Sequence, residues 1–117
     1  FSVKTVDNFV NGAADDLFTR RMKPMAWSPL GGGSVFAGTE EQSKRLRAAL
    51  GTLAQKYSTA LDTIMYAWLF MHPLGMMAIT GTVQLARIQN AVNALAIQLT
   101  HEEWYDVLAA SRGYDVP

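Results

Sequence analysis

Two short stretches of this sequence carry residue types able to hold an anion. One is W-S-P-L-G-G-G, from Trp27 to Gly33; the other is G-T-V-Q-L-A-R-I-Q-N, from Gly81 to Asn90. Consecutive glycines strip side chains from the backbone, so its N–H groups can approach a neighbouring element or a ligand. In the second stretch Thr82 stands where a helix N-cap is expected, and the first N–H groups of a helix form an anion site. Arg87 and Asn90 are three apart and share a helix face. By helical rotation that face lies opposite the apolar positions Leu85, Ile88, Val92 and Leu95. A hydroxyl, a guanidinium and an amide projecting together suit a phosphate and a base edge, each Arg–phosphate hydrogen bond contributing about 1.5–3 kcal/mol. A blander reading stands beside this one. A cap threonine stabilises most helices, an arginine and an asparagine on a polar face are usually solvated, and a tryptophan before Ser-Pro can simply end a strand in the core.

Both stretches need elements that deliver them to one place. "FSVK" reads as the end of a strand, followed by a helix over about Gly12 to Met22, with Asp15 and Asp16 early and Arg20, Arg21 and Lys23 late. That charge order suits the helix dipole. "KPMAW" is a short strand closed by Ser28-Pro29, and residues 31–42 form a glycine-rich loop. From Ser43, the spacing of Leu46, Leu50, Leu53 and Tyr57 predicts a helix, with Gly51 inside it at a cost of about 1 kcal/mol. Thr59 is the expected cap of a further helix lined on one side by Leu61, Met65 and Trp68 and ended by Pro73 and Gly75. "MMAIT" is a second strand, turning at Gly81-Thr82 directly into the Leu85–Leu95 helix. Thr100 and Glu103 form a capping box that opens a last helix with Gly113 as its exit. Strands alternating with helices argue for an α/β fold with parallel pairing. Both anion-holding stretches then follow the carboxyl ends of their strands, where ligands sit in such folds.

Composition narrows the function. A length of 117 residues fits one domain, and half of them are hydrophobic. Ten basic residues balance ten acidic ones, which argues against a nucleic-acid binder working through bulk positive charge. There is no cysteine, so disulfides, thiolate metal sites and a cysteine nucleophile are excluded. The only histidines, His72 and His101, fall on different elements and offer no metal-ligand cluster. No signal peptide is readable, and "AWLFMHPLGMMAI" is too short and broken to span a bilayer. A cytoplasmic setting without a membrane partner is the expectation. The opening at Phe1 reads as a strand already in progress, as expected of a piece of something longer.

The combination of P-M-A-W-S-P-L-G-G-G (Pro24 to Gly33) with I-T-G-T-V-Q-L-A-R-I-Q-N (Ile79 to Asn90) some fifty residues on resembles the C-terminal part of the aldo-keto reductases. It is closest to bacterial members with a Trp-Ser-Pro-Leu-Gly-Gly-Gly turn, and "LAQKYSTALDTIMYAWLFMHP" resembles the segment between. The likeness covers nearly the whole chain. It implies one partial domain over residues 1–117, the C-terminal portion of a TIM (β/α)8 barrel from about strand six to strand eight. It also implies an NADP (NADPH) cofactor and a small-molecule aldehyde or ketone as the parent enzyme's substrate. Trp27 would stack on the nicotinamide, and Ser28, Leu30 and the Gly31-Gly32 backbone would line the diphosphate. Thr82 and Arg87 would hold the 2′-phosphate, and Gln89 and Asn90 would face the adenine. Gly81 stands where many members have Lys, and Gln89 where many have Glu, so preference for NADP over NAD leans on Arg87.

A complete barrel needs about 250 residues. The family's catalytic Asp, Tyr, Lys and His lie on earlier strands and map to nothing here. Tyr57, Tyr66, Tyr105 and Tyr114 fall on helices or the tail, and His72 ends a helix. By itself the chain is expected not to reduce a carbonyl. Its open sheet edges imply marginal stability or self-association. A non-catalytic nucleotide-binding or regulatory module, and a truncated product that binds nothing, remain the alternatives.

Overall fold

The computed structural model describes residues 12–114, and the strand expected in "FSVK" lies outside them. In chain order the elements are helix α1 (Ala13–Thr19), strand β1 (Met25–Ala26), helices α2 (Ser34–Ala37), α3 (Glu41–Lys56) and α4 (Leu61–Phe70), strand β2 (Met77–Ala78), and helices α5 (Leu85–Asn93) and α6 (His101–Arg112). Single 3-10 turns occupy Gly31–Gly33 and Ala94–Ala96. β1 and β2 pair in parallel, Met25 opposite Met77 and Ala26 opposite Ala78. Flanking backbone bonds run from Met77 N–H to the Pro24 carbonyl (3.0 Å) and from Ile79 N–H to the Ala26 carbonyl (3.1 Å). The α/β class and the parallel pairing are as expected, but each strand is two residues rather than five. Each has a single neighbour among the described residues, and Met25 and Met77 are exposed. A ladder with nothing on its outer edges has little to extend it.

Helices make most of the core. Leu46, Leu50 and Leu53 of α3 are buried as their spacing predicts. They meet Val35 of α2, Ile64, Met65 and Trp68 of α4, and Val107 and Leu108 of α6. α4 is the central helix: Asp62 to Leu69 are buried all round rather than on one face, as an apolar helix enclosed by neighbours must be. A second cluster joins Tyr66 and Ala67 of α4 to Ala91 of α5 and Ala94 just after it.

This second cluster overturns one expectation. The face of α5 turned toward α4 carries Asn90 and Ala91, with Ala94 just beyond, while Leu85, Val92 and Leu95 are exposed and Ile88 less so. Small side chains let α5 approach α4 closely, and nothing among the described residues covers the aliphatic stripe.

Helix boundaries moved for local reasons. α1 stops at Thr19, so Arg20, Arg21 and Lys23 lie beyond its last turn; Arg20 instead pairs with Asp16 at 2.9 Å on the surface. α3 begins at Glu41, ahead of Ser43. α4 is entered through Ala60 rather than capped by Thr59, and α5 through Gln84 rather than Thr82. The capping box at Thr100 and Glu103 is present, and Gly113 closes α6 at φ 88°.

The expected glycine loop is in fact a 3-10 turn running into α2. Gly32 and Gly33 hold φ of 63° and 84° with no atom near a would-be Cβ, so they serve the left-handed backbone rather than a close protein neighbour. Close approach occurs at Gly38, where a Cβ would sit 2.5 Å from both the Ser34 carbonyl oxygen and Ser43 Oγ. Gly38→Ala should therefore destabilise by about 1–3 kcal/mol through overpacking against backbone. Gly51→Ala, mid-helix and with no atom within 4 Å, should instead stabilise by roughly 0.5–1 kcal/mol. Urea unfolding of the two variants checks the pair; equal effects would contradict the packing at Gly38.

Candidate functional site

Parallel pairing fixes where the two loops go. Trp27 follows β1 and Ile79 follows β2, so both connections leave the sheet at its carboxyl end. The Trp27 indole is 82% exposed. Ser28 holds φ 50°, a left-handed conformation unusual for a residue with a side chain and costing roughly 1–2 kcal/mol. Its carbonyl accepts from Gly31 N–H at 2.8 Å, and the Leu30 carbonyl accepts from Gly33 N–H at 3.1 Å. The Gly31 amide, one of those assigned to the diphosphate, is thus committed within the turn. Leu30 is half-buried against the core, and Gly32 is exposed.

An arginine that the sequence pattern does not single out holds α2, the short helix that follows this turn. Arg47 of α3 donates through Nη1 to the Val35 and Phe36 carbonyls, both at 2.8 Å, and through Nη2 to the Gly38 carbonyl at 3.2 Å. These oxygens end α2 and its exit, where a helix leaves carbonyls unsatisfied. The only sequence signal was a charge on the polar side of α3, which cannot show what lies across from it.

On the second connection Thr82 Oγ1 accepts from Gln84 N–H at 3.1 Å. The hydroxyl folds the approach to α5 instead of capping it, because helical geometry begins only at Leu85. Gly81 is exposed, with open space around it. Arg87 and Gln89 are exposed; Gln89 Nε2 donates to Asn93 Oδ1 at 3.0 Å along the helix. Asn90 turns inward, and its Nδ2 lies 2.9 Å and 3.1 Å from the two carboxylate oxygens of Asp62. Local spacing gives Asp62 no special place, since a partner 28 positions away leaves no trace in it.

Two other titratable groups, His72 and Tyr66, are shifted by burial. Leu74 N–H donates to His72 Nδ1 at 3.2 Å, and burial pushes the His72 pKa down. Tyr66 is buried, which pushes its hydroxyl pKa up, with the Asp62 charge adding and Arg87 opposing. Among the described residues no group of three His, Cys, Asp or Glu could hold a metal, and no helix is long and apolar enough to cross a membrane.

Known proteins resemble this chain in sequence and in fold. The chain is 39% identical over 117 residues to the uncharacterized oxidoreductase YcsN of Bacillus subtilis, covering 99% of this chain and 39% of that protein. It is 38% identical over 112 residues to a 6-dehydroglucose reductase of Novosphingobium aromaticivorans, covering 96% and 37%. It is 33% identical over 109 residues to the oxidoreductase YdhF of Escherichia coli, covering 92% and 36%. The crystal structure of the thermostable aldo-keto reductase Tm1743, bound to the inhibitor epalrestat, superposes with a TM-score of 0.77 at 19% identity, over 94% of this chain and 37% of that one. The chain thus spans under two-fifths of the length of the curated relatives it matches, and its helices and parallel strand pair are those of part of such a protein. The family model for aldo/keto reductases matches residues 17–112, and the chain belongs to that family.

Proposed function

We propose that this chain forms the dinucleotide-binding rim of an NADPH-dependent aldo-keto reductase that reduces an aldehyde or ketone, with β1 and β2 as the seventh and eighth strands of its barrel. The observation that carries the proposal is the parallel pairing of β1 with β2, which sends Trp27 and the Thr82–Asn90 segment off the same edge. The residues present fit the cofactor: an exposed indole beside a left-handed turn offers a flat platform, and an exposed Arg87 near Thr82 offers a guanidinium and a hydroxyl. Once bound, the nicotinamide supplies hydride to a carbonyl carbon. Trp27 stacks on that ring and holds its orientation. Ser28, Leu30 and the Gly31-Gly32 backbone line the diphosphate. Arg87, with Thr82 and the open ground at Gly81, takes the 2′-phosphate, and Gln89 and Asn90 face the base. The proton donor that must meet the carbonyl oxygen comes from the earlier strands. Exposed Met25, Met77, Leu85, Val92 and Leu95 are then the places where those strands and their helices pack; with those faces bare, the chain self-associates through them.

The test is a titration of NADPH and NADH into the full-length gene product, followed by quenching of Trp27. Trp68 and Trp104 are stacked on each other, so Trp27→Phe should remove most of the signal. Arg87→Ala should weaken NADPH binding about 10–100-fold, the loss of one or two charge-assisted contacts, and leave NADH nearly unchanged. An absence of saturable quenching, or an Arg87 variant that weakens both cofactors equally, would overturn the proposal.

A further inference from the structure

Asp62 is a buried carboxylate in the first turn of α4, 8% exposed. Its Oδ1 accepts from Thr63 N–H at 3.0 Å and from Asn90 Nδ2 at 2.9 Å, and its Oδ2 lies 3.1 Å from the same Nδ2. The two ends of an asparagine amide have nearly the same shape, so a partner decides which way it faces. Here the partner has only acceptors. Asn90 must turn its NH2 toward α4 and leave its carbonyl Oδ1 pointing the other way. The packing beside it removes slack, because buried Ala91 and Ala94 seat α5 against Tyr66 and Ala67. α4 runs into β2 at its far end, so Asp62, at the start of α4, stands on the same rim as the loops that follow the strands.

We propose that Asp62 is a positioning residue that makes Asn90 an obligate acceptor toward the bound base, so that the site selects a 6-amino purine over a 6-oxo purine. This rests on the dinucleotide reading above. An adenine 6-amino group donates to the outward Asn90 Oδ1. A hypoxanthine 6-oxo group would bring carbonyl against carbonyl and leave a desolvated acceptor unpaired, the kind of mismatch a polar site rejects strongly.

Binding of NADPH and of its deamino analogue, nicotinamide hypoxanthine dinucleotide phosphate, to the full-length gene product tests this. Wild type should prefer NADPH by about ten-fold or more. Asp62→Asn is nearly isosteric but offers both an acceptor and a donor, so Asn90 can reverse; the preference should fall toward unity through tighter binding of the deamino cofactor. A purely structural role for Asp62 would lower affinity for both cofactors and leave their ratio intact. Asn90→Ala, which removes the acceptor and also the donor that Asp62 holds, should abolish the preference as well. Equal affinities in wild type, or an unchanged ratio in Asp62→Asn or Asn90→Ala, overturns the proposal while leaving the cofactor reading standing. Failure of NADPH itself to bind overturns both.

Discussion

Trp104→Ala should lower the unfolding free energy by about 3–5 kcal/mol, the usual cost of deleting a large, well-packed aromatic. Trp104 of α6 and Trp68 of α4 stack with ring centroids 4.6 Å apart and planes within 7°. Each indole N–H donates to the backbone carbonyl of the other residue, Trp68 Nε1 to the Trp104 oxygen at 2.8 Å and Trp104 Nε1 to the Trp68 oxygen at 2.9 Å. The Trp68 carbonyl lies in the last turn of α4, where a helix's own ladder runs out, so the Trp104 side chain both packs on α4 and closes its end. Deletion removes the stacking and both cross-helix clamps together, because Trp68 then has no ring to hold it in register. Trp104→Phe keeps a ring and loses one donor, and should cost roughly half as much. Urea unfolding of the two variants checks the order; a loss below about 1 kcal/mol for the alanine variant would show that the pair does not tie α6 to α4.

That pair shows what local pattern cannot carry. Trp68 and Trp104 were legible as apolar positions on two helices, yet their mutual bonds link residues 36 apart. The same holds for Asn90, which spacing placed on a polar face with Arg87. It spends its amide on Asp62, while Arg87 remains exposed. Where the determinant is local, sequence and structure agree: the leucine spacing of α3, the box at Thr100 and Glu103, the glycine exit at 113; the parallel strand pair follows instead from the alternation of strands and helices along the chain. Agreement failed where a hydroxyl had two local uses. Thr82 was expected to cap α5, but its oxygen closes a turn two residues earlier than a cap would. It failed again at the Leu85–Leu95 stripe, because a hydrophobic period says that one face is to be buried without saying which chain segment buries it. The family likeness added what neither period nor spacing could: which ligand to expect at the rim that the alternating strands and helices already gave the Trp27 and Gly81–Asn90 segments.

Glu103→Gln should cost about 2–3 kcal/mol at neutral pH and should flatten the stability profile at both its acid and alkaline ends. Glu103 is 8% exposed and serves three donors. Its Oε1 meets Lys56 Nζ at 2.5 Å, and its Oε2 accepts from the Tyr57 hydroxyl at 2.7 Å and from Thr100 N–H at 2.8 Å. Burial alone would raise its pKa, but the bonds from Lys56, Thr100 and Tyr57 outweigh it and bring the value from 4.5 down to about 2. A carboxylate whose folded value lies below its unfolded one stabilises the fold fully above the unfolded value. That stabilisation is lost as pH falls through the window from 4.5 to about 2. The partners set the opposite limit. The bond to Glu103 raises both Tyr57 and Lys56 above their ordinary values of 10.0 and 10.5, so their share is complete below those values and disappears as pH climbs past them. One carboxylate therefore shapes both limbs while joining the end of α3 to the start of α6. Urea midpoints measured from pH 2 to pH 11 should show the wild type losing stability below about 4.5 and above about 10. The Gln variant should change less at both ends; parallel curves for the two proteins would remove Glu103 from that role.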